Sequence, residues 1–367
     1  NVIDYLESNV TIKDGVTISQ PEHYAYGGGA SDLEGHGYAL CEQEREFNYG
    51  DEVSHVVIDG GIFDGWVRLI GYPDTNGSVQ INGGTFKKGA QVLYIEKKNN
   101  SAPAVAVNGG TFEGTVYLKY WPWKESLYMP YRLNGGTFKR SAEKGTYSPY
   151  DNGGNSWYTI ANYGTMEINT GVTVENAGGY SSMIRNGGDA TADCDLTIRG
   201  GNFAGGINTV KNDSFGVLTI NGGNFSNTAQ YVIMNWNKAE ITAGTFQTLD
   251  TASAVLFTSS YGADANTIGK LSISGGEFKH ASDTQEMIVD RYDASNSGTA
   301  AVTGGRFDAD ISKYIPSDYV QSADGTVEKL GETNAVAKVG DTYYKTLTDA
   351  VKAADNATVT LLKDVTE

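Results

Sequence analysis

The chain has 367 residues, of which 47 are glycine and only 7 are proline, so its composition excludes both a collagen-like and a proline-rich disordered chain. Its 23 tyrosine, 12 phenylalanine and 5 tryptophan residues supply ample apolar surface for a core. With 27 basic and 44 acidic side chains the formal net charge is -17, which disfavours nucleic acid and anionic membrane surfaces as partners.

The amino-terminal segment, residues 1–48, carries few features of the repeat that dominates the rest of the chain. It contains one degenerate copy of that repeat, VTIKDGVTI, at Val10 to Ile18. The run Gly27-Gly28-Gly29 favours irregular backbone. We therefore expect this segment to form one irregular coil with a long excursion.

Residues 49–330 contain a repeat in which an alternating apolar strand leads into a glycine pair and then a phenylalanine. A second apolar run follows most copies, so each repeat supplies about two strands and no helix. Such a unit cannot bury its apolar face alone and must stack on its neighbours. The phenylalanines that end the copies are Phe63, Phe86, Phe112, Phe138, Phe203, Phe225, Phe246, Phe278 and Phe307.

The spacing of these copies predicts an all-β fold, a right-handed parallel β-helix solenoid of about eleven coils. At roughly 4.8 Å for each coil the rod would be about 50 Å long, with the motif phenylalanines inside. Cys41 and Cys194 would then lie near 30 Å apart, far beyond the roughly 7 Å that a disulfide allows. We therefore predict two free thiols.

Four asparagines end apolar runs in matching places, which predicts a ladder of amide hydrogen bonds along the axis of the rod. The alternative is that asparagine merely suits a turn at each of these places. The four residues are Asn162, Asn186, Asn212 and Asn235.

Aromatic residues are concentrated in two insertions that lengthen the coils between Tyr117 and Tyr163. Pro122 and Pro130 indicate that the first insertion leaves the strand ladder as a loop. Exposed tyrosine and tryptophan on such loops would form a binding surface, although these rings could instead pack together and fix the loops. The predicted ligand-binding residues are Tyr117, Tyr120, Trp121, Trp123, Tyr128, Tyr131, Tyr147, Tyr150 and Trp157.

After Phe307 the repeat stops, and the residues up to 330 are expected to cap the last coil, whose open end is an unpaired sheet edge. Residues 331–367 form a small α+β segment in this interpretation. A hairpin is predicted about Gly340-Asp341, then a helix that begins with the capping-box pair Thr346 and Asp349, and then a strand.

The copies INGGTF, VNGGTF and INGGNF resemble those of pectate-lyase-like β-helix cell-surface proteins of gut Gram-positive bacteria. The resemblance covers Val10 to Phe307 and implies an extracellular location on a bacterial cell surface. It also implies that residues 331–367 are the truncated start of a following β-helix module, so that the chain is a monomeric module of a longer protein. The partner that it implies is a host protein, immunoglobulin or another glycoprotein among them, or a glycan.

Residues with catalytic chemistry are sparse. The four histidines lack metal-ligand spacing and two cysteines cannot form a structural zinc cluster, so we predict neither a metal nor a cofactor. No pair of carboxylates has a pattern that points to glycoside cleavage. We therefore expect a non-catalytic adhesin without membrane insertion; the alternatives are a carbohydrate-active enzyme, either a polysaccharide lyase or a glycoside hydrolase, and a passive spacer.

Overall fold

The computed structural model describes residues 2–5, 8–19, 38–42, 54–71, 79–97, 105–120, 130–140, 158–176, 181–188, 194–227, 229–249, 252–262 and 267–365. Nearly all regular structure in these ranges is β-strand. In chain order the strands are β1 Ile3–Tyr5, β2 Asn9–Ile12, β3 Thr17–Ser19, β4 Tyr38–Glu42, β5 His55–Ile58, β6 Ile62–Asp64, β7 Trp66–Gly71, β8 Val79–Ile81, β9 Thr85–Lys97, β10 Val105–Val107, β11 Thr111–Tyr120, β12 Pro130–Arg140, β13 Ile160–Tyr163, β14 Thr165–Asn176, β15 Ile184–Asn186, β16 Cys194–Ile198, β17 Asn202–Gly205, β18 Asn208–Asn212, β19 Gly216–Asn227, β20 Tyr231–Asn235, β21 Lys238–Thr248, β22 Ala254–Thr258, β23 Lys270–Lys279, β24 Glu286–Val289, β25 Thr299–Phe307, β26 Tyr319–Gln321, β27 Val327–Lys329, β28 Ala337–Val339, β29 Thr342–Tyr344 and β30 Val359–Leu361.

Strands β1 to β25 belong to one parallel sheet that winds around three faces. Face A comprises β2, β5, β8, β10, β16 and the first parts of β12, β14, β19, β21, β23 and β25. Face B comprises β3, β6, β17, the first parts of β9 and β11, and the second parts of β12, β14, β19, β21, β23 and β25. Face C comprises β1, β4, β7, β13, β15, β18, β20, β22, β24 and the second parts of β9 and β11.

Each face of the described chain therefore has eleven strands, which confirms the predicted parallel β-helix and its number of coils. The amino-terminal segment is more regular than the sequence indicated. Its strands β1, β2 and β3 pair in parallel with β4, β5 and β6, so they form ordinary rungs on all three faces. Strand β4, which lies before residue 48, pairs onward with β7, so the sheet continues across that residue.

The glycine pair makes the corner between faces A and B, and its two members have different roles. A β-carbon on Gly109 would lie 2.6 Å from the carbonyl oxygen of Asn82 in the preceding coil. Gly110 has a φ of 107°, which side chains strongly disfavour. The first glycine thus permits close stacking of the coils, and the second permits the bend.

The motif phenylalanines are buried and stack along face B. The ring centroids of neighbouring phenylalanines lie 4.5 to 4.9 Å apart, with interplanar angles of 2° to 17°. Val174 lies in register between Phe138 and Phe203 and interrupts the stack. The predicted inward placement of these residues is confirmed.

The predicted asparagine ladder is also confirmed, in the interior beside face C. The amide of Asn162 donates to Asn186 at 2.8 Å, Asn186 to Asn212 at 2.9 Å, and Asn212 to Asn235 at 2.8 Å. All four side chains are buried. Asn235 ends the series by donating to the hydroxyl of Thr258 at 3.1 Å.

Both cysteines are buried and unbridged, as the coil arithmetic predicted. Burial raises the pKa of the Cys41 thiol to about 11, against a smaller opposing effect of Arg68. The Cys41 thiol is therefore protonated, and a poor nucleophile, near neutral pH.

The last coil is capped as expected. A short 3-10 turn, Ser312–Tyr314, and the antiparallel pair β26 and β27 follow Phe307. Ile311 and Val327 are buried against the end of the core, and the Phe307 N–H donates to the Gly325 carbonyl at 3.0 Å. The cap thus covers the exposed end of the phenylalanine stack.

Beyond the cap, β28, β29 and β30 form a separate three-stranded antiparallel sheet with one helix, α1 Leu347–Ala353. The predicted hairpin about Gly340 and the predicted capping pair are present, since the Thr346 hydroxyl oxygen accepts from the Asp349 N–H at 3.1 Å. Across the described ranges, no helix combines the length and apolar character that a membrane span requires.

Replacing Phe203 by alanine should leave a cavity in the phenylalanine stack, because its ring lies 4.6 Å from that of Phe225 in a closed core. We expect the free energy of unfolding to fall by about 3 to 5 kcal/mol in chemical denaturation. The control is Leu249→Ala, which truncates an exposed side chain. Equal denaturation midpoints for the two variants would show that the Phe203 ring contributes nothing to the stability of the core.

Replacing Asn212 by alanine should break the ladder, because the Asn186 amide loses one of its acceptors and the Asn235 carbonyl loses one of its donors. Because these hydrogen bonds are buried, we expect the free energy of unfolding to fall by about 1 to 3 kcal/mol. Asn224→Ala is the matched control, since Asn224 donates to Asn202 between neighbouring coils but is exposed. If both variants unfold at the same denaturant concentration, the buried position of the asparagine ladder contributes nothing measurable to the free energy of unfolding.

Candidate functional site

Most of the predicted ligand-binding residues fall on loops whose structure lies outside the described residues. These are Trp121, Trp123, Tyr128, Tyr147, Tyr150 and Trp157. Tyr117 and Tyr120 lie on β11, where the register of the backbone is described but the positions of the side chains are not.

Tyr131 does not belong to an exposed surface. It is 1% exposed and lies in the core, between Val105 and Met166 of the neighbouring coils. It precedes the buried Leu133 by two residues, so the alternation of the strand turns both side chains inward. Tyr131 is therefore a core residue, and its assignment to the binding surface is wrong.

Face C carries a central row of residues in continuous register. From Arg185 to the C-terminal end of the row, the described side chains are partly exposed or lie under aromatic neighbours. The predicted site residue Tyr117 occupies the same row as Arg185 and Lys211. From the second to the last rung the row consists of Cys41, Arg68, Tyr94, Tyr117, Ala161, Arg185, Lys211, Met234, Phe257 and Val289.

An aromatic cluster covers the C-terminal part of face C, and Trp236 lies at the centre of this cluster. Trp236 directly follows the inward Asn235, so strand alternation turns its ring outward. The ring is 7% exposed because three other rings cover it. Its centroid lies 4.9 Å from that of Phe257, 5.0 Å from that of Tyr261 and 5.7 Å from that of Tyr292, all in edge-on arrangements.

Tyr261 and Tyr292 are the only exposed aromatic side chains in the part of the chain that the structure describes. They are 46% and 67% exposed, respectively. Tyr261 follows β22 and Tyr292 follows β24, so each lies at the corner that leads from face C to face A. Through their shared contact with Trp236 the two rings form one surface, and this surface is the candidate site.

Hydrogen bonds hold the two loops in place. The Ser259 hydroxyl donates to the Asn296 carbonyl at 2.9 Å and accepts from the Tyr292 N–H at 2.8 Å, so it joins one loop to the other. The Asp293 carboxylate accepts from the Ser295 and Asn296 N–H groups at 2.7 and 3.0 Å. The aromatic surface is thus largely ordered before any ligand binds, which lowers the entropy cost of binding.

A charged cluster adjoins the aromatic one. The Asp213 carboxylate accepts from Arg185 at 3.2 Å and from Lys211 at 2.9 Å, and the Tyr261 hydroxyl donates to it at 3.3 Å. Arg185 also donates to the Tyr163 hydroxyl at 2.6 Å. The single hydrogen bond from Tyr261 to Asp213 joins the charged cluster to the exposed rings.

The protonation states in this cluster follow from its environment. Burial raises the pKa of Asp213, but the charge and hydrogen bond of Lys211, the charge of Arg185 and the Ser214 N–H outweigh burial, so the pKa lies below its ordinary value. Burial and the nearby Asp213 charge raise the pKa of Tyr261. At neutral pH Asp213 is therefore ionised, and Tyr261 keeps the proton that it donates.

The candidate site lies at the corner between faces C and A, after β22 and β24. In the sequence, residues 121–129, which lie outside the described residues, stand between β11 on face C and β12 on face A. Five rungs separate β11 from β22, through β13, β15, β18 and β20, or about 24 Å.

Sequence reasoning missed Trp236, Tyr261 and Tyr292, although the sequence contained an indication of the two loops. The spacing between motif phenylalanines is 32 before Phe278 and 29 before Phe307, against 21 and 22 in the two preceding intervals. These longer repeats contain the additional residues that carry Tyr261 and Tyr292. Their shared contact with Trp236 becomes visible only when the coils are stacked.

Within the described ranges, no group of three or more histidine, cysteine, aspartate or glutamate side chains is placed to hold a metal ion. Comparisons of the chain with protein-family models, with curated proteins and with solved structures find no match. The argument for a role therefore rests on the geometry of face C.

Replacing Asp213 by asparagine should destabilise the fold, because Arg185 and Lys211 lose the carboxylate that they share in a mostly buried position. We expect the free energy of unfolding to fall by about 3 kcal/mol near neutral pH, as when one partner of a buried ion pair is removed. Urea denaturation of both proteins over a range of pH measures this difference.

The pH dependence of that difference has a definite sign. Since the folded-state pKa of Asp213 lies below the ordinary 3.8, its carboxylate stabilises the fold above that pH, and the contribution is lost as the pH falls through the folded pKa. The difference between parent and Asp213→Asn should thus persist from about pH 7 to about pH 5 and shrink in stronger acid. Asp318→Asn, at an exposed carboxylate, is the control for the loss of one surface negative charge.

Proposed function

We propose that this protein is a non-catalytic binding module of a bacterial cell surface, which holds a host protein or a glycan on face C. The observation that carries the proposal is the pair of exposed rings, Tyr261 and Tyr292, which rest on Trp236 in hydrogen-bonded loops. Exposed tyrosine in a fixed position supplies contact area at low entropy cost, and such residues dominate binding energy in many complexes.

The extended shape of the rod supports this role. A β-helix keeps its coils in register, so loops at one corner are displayed in a line along the axis. Tyr261 and Tyr292 both follow face C strands at the corner that leads to face A. A long or repeating ligand, such as a glycan chain or a glycoprotein, fits a series of contacts better than a single pocket does.

The class of partner follows from charge and from the resemblance of the repeats to gut bacterial surface proteins. A net charge of -17 disfavours nucleic acid and anionic lipid. Immunoglobulin and other secreted glycoproteins are therefore the proposed host ligands, with the chain acting as a monomeric extracellular module of a longer protein. No cofactor and no membrane insertion form part of this proposal.

The double variant Tyr261→Ala/Tyr292→Ala should weaken capture of the ligand from mucosal secretions by at least about tenfold, because each aromatic anchor commonly contributes 2 kcal/mol or more. A parallel variant with alanine at Trp121, Trp123 and Trp157 tests the predicted loops. Binding of the captured ligand is then measured by surface plasmon resonance with the parent and both variants.

The control is Val16→Ala/Leu249→Ala, which removes exposed apolar side chains elsewhere and should leave binding unchanged. Full affinity in both aromatic variants would place the site away from this corner. Absence of any ligand for the parent would favour the passive spacer. Release of reducing ends or unsaturated products from pectin, xylan or mucin glycans would favour the carbohydrate-active enzyme.

A further inference from the structure

The local charge of face C differs from that of the whole chain. The chain carries 44 acidic and 27 basic residues, whereas the central row contains two arginines, one lysine and a single acidic residue, Asp4, which lies in the first rung. Beside this row, Asp213 is the single carboxylate that Arg185 and Lys211 share. Among the described side chains of this cluster, two cations thus share one carboxylate.

The two cations are held differently. Arg185 donates to both Asp213 and Tyr163, and its guanidinium lies 5.2 Å from the ring centroid of Tyr158 and 5.4 Å from that of Tyr163. Lys211 has three N–H donors on a flexible chain, and Asp213 accepts one of them. Lys211 is thus the group that can turn a donor towards a bound anion, while Arg185 maintains the local charge.

The charged side chains and the exposed rings are parts of one connected cluster. The Tyr261 hydroxyl donates to Asp213, and the Tyr261 ring contacts Trp236, which contacts Tyr292. A ligand that presents an apolar ring face and a carboxylate on the same small unit would contact both parts at once. Sugars that bear a carboxylate have this combination, together with hydroxyl groups for further hydrogen bonds.

We propose that the cluster of Lys211, Asp213, Tyr261 and Tyr292 binds an acidic saccharide, with a sugar ring on the two tyrosines and its carboxylate beside Lys211. This inference rests on the proposed function, since it names the chemistry of the ligand at the same face. A protein partner fits the cluster less well, because a stable protein interface buries about 800 Å² for each partner around an apolar centre, and only two rings are exposed here.

The test uses four defined probes in isothermal titration calorimetry with the whole chain. The trimethyl ester of trigalacturonic acid keeps the three sugar rings of the acid but replaces each charged carboxylate by a neutral methyl ester, and sialyllactose and lactose differ by one acidic sugar. We expect at least one acid to bind about tenfold more tightly than its neutral counterpart, and higher salt to weaken the binding of that acid. The two pairs distinguish a uronic acid from a sialic acid.

Three variants separate the parts of the proposal. Lys211→Met should lower the affinity for the acid about tenfold and leave the neutral counterpart unchanged, because it removes the charge but keeps the aliphatic stem. Tyr292→Ala should lower the affinity for the acid about tenfold, whereas Tyr292→Phe, which keeps the ring, should bind the acid as tightly as the parent does. Lys279→Met, at an exposed lysine on face B, is the matched charge control.

Each outcome supports or overturns the inference. Equal affinity for the acid and its neutral counterpart, or unchanged binding in Lys211→Met, overturns the role of the charge. Failure of all four probes to bind overturns the acidic saccharide as ligand. If the Tyr261→Ala/Tyr292→Ala variant still loses a ligand captured from secretions in that case, the proposed function stands and only the chemistry of the ligand is wrong.

Discussion

The close approach of successive coils at the glycine corner is the constraint on which the rest of the fold depends. The first glycine of each pair lies so near the preceding coil that a β-carbon on Gly83, Gly109 or Gly135 would lie 2.5 to 2.7 Å from a backbone oxygen. At these three positions such contacts leave room for hydrogen alone, whereas Ala243 holds the equivalent place in the copy that ends at Phe246. Because this corner recurs in nearly every coil, it sets a common register, and the register places like side chains directly above one another.

Two consequences of this register stabilise the interior in different ways. The phenylalanine stack excludes water and adds ring contacts of about 0.5 to 1.5 kcal/mol each beyond the area buried. The asparagine ladder satisfies buried amides that would otherwise destabilise the core. A further ladder lies outside, where Asn82, Asn108 and Asn134 donate in series at 2.8 Å and the series ends on Asp59, which can only accept.

Sequence reasoning could predict the fold because its determinants are local and periodic. The motif around Phe225 and the spacing of Asn212 from Asn235 specify which side chains stack, whatever the loops contain. The same period-two rule would have placed Tyr131 inside, two residues before Leu133, but the surrounding aromatic residues were read as one loop. Residues 1–48 looked irregular because their strands are only three to five residues long and a long stretch of sequence, residues 20–37, separates β3 from β4.

The candidate site was harder to predict because its contacts join positions that are distant in the chain. Tyr261 reaches Asp213 across 48 residues, and Trp236 receives Tyr292 from two rungs away. Repeat spacing can show where additional residues leave the rod, but it cannot show which loops meet. Whether two loops meet depends on the corner at which each leaves the rod and on the side chain that lies beneath them. Here that side chain is Trp236, which directly follows Asn235 of the asparagine ladder.

The acidity of the whole chain and the local charge of Lys211 on face C act over different distances. Repulsion between an acidic ligand and a chain of charge -17 is spread over the surface and is screened beyond about 8 Å at physiological salt. A contact with Lys211 operates at hydrogen-bond distance, in a position that is partly shielded from solvent. Distributed charge of this kind mainly affects how fast a ligand arrives, whereas close, partly buried contacts govern how long it stays. An acidic protein can therefore select an acidic sugar, provided that the selecting cation lies beside rings that hold the ligand in place.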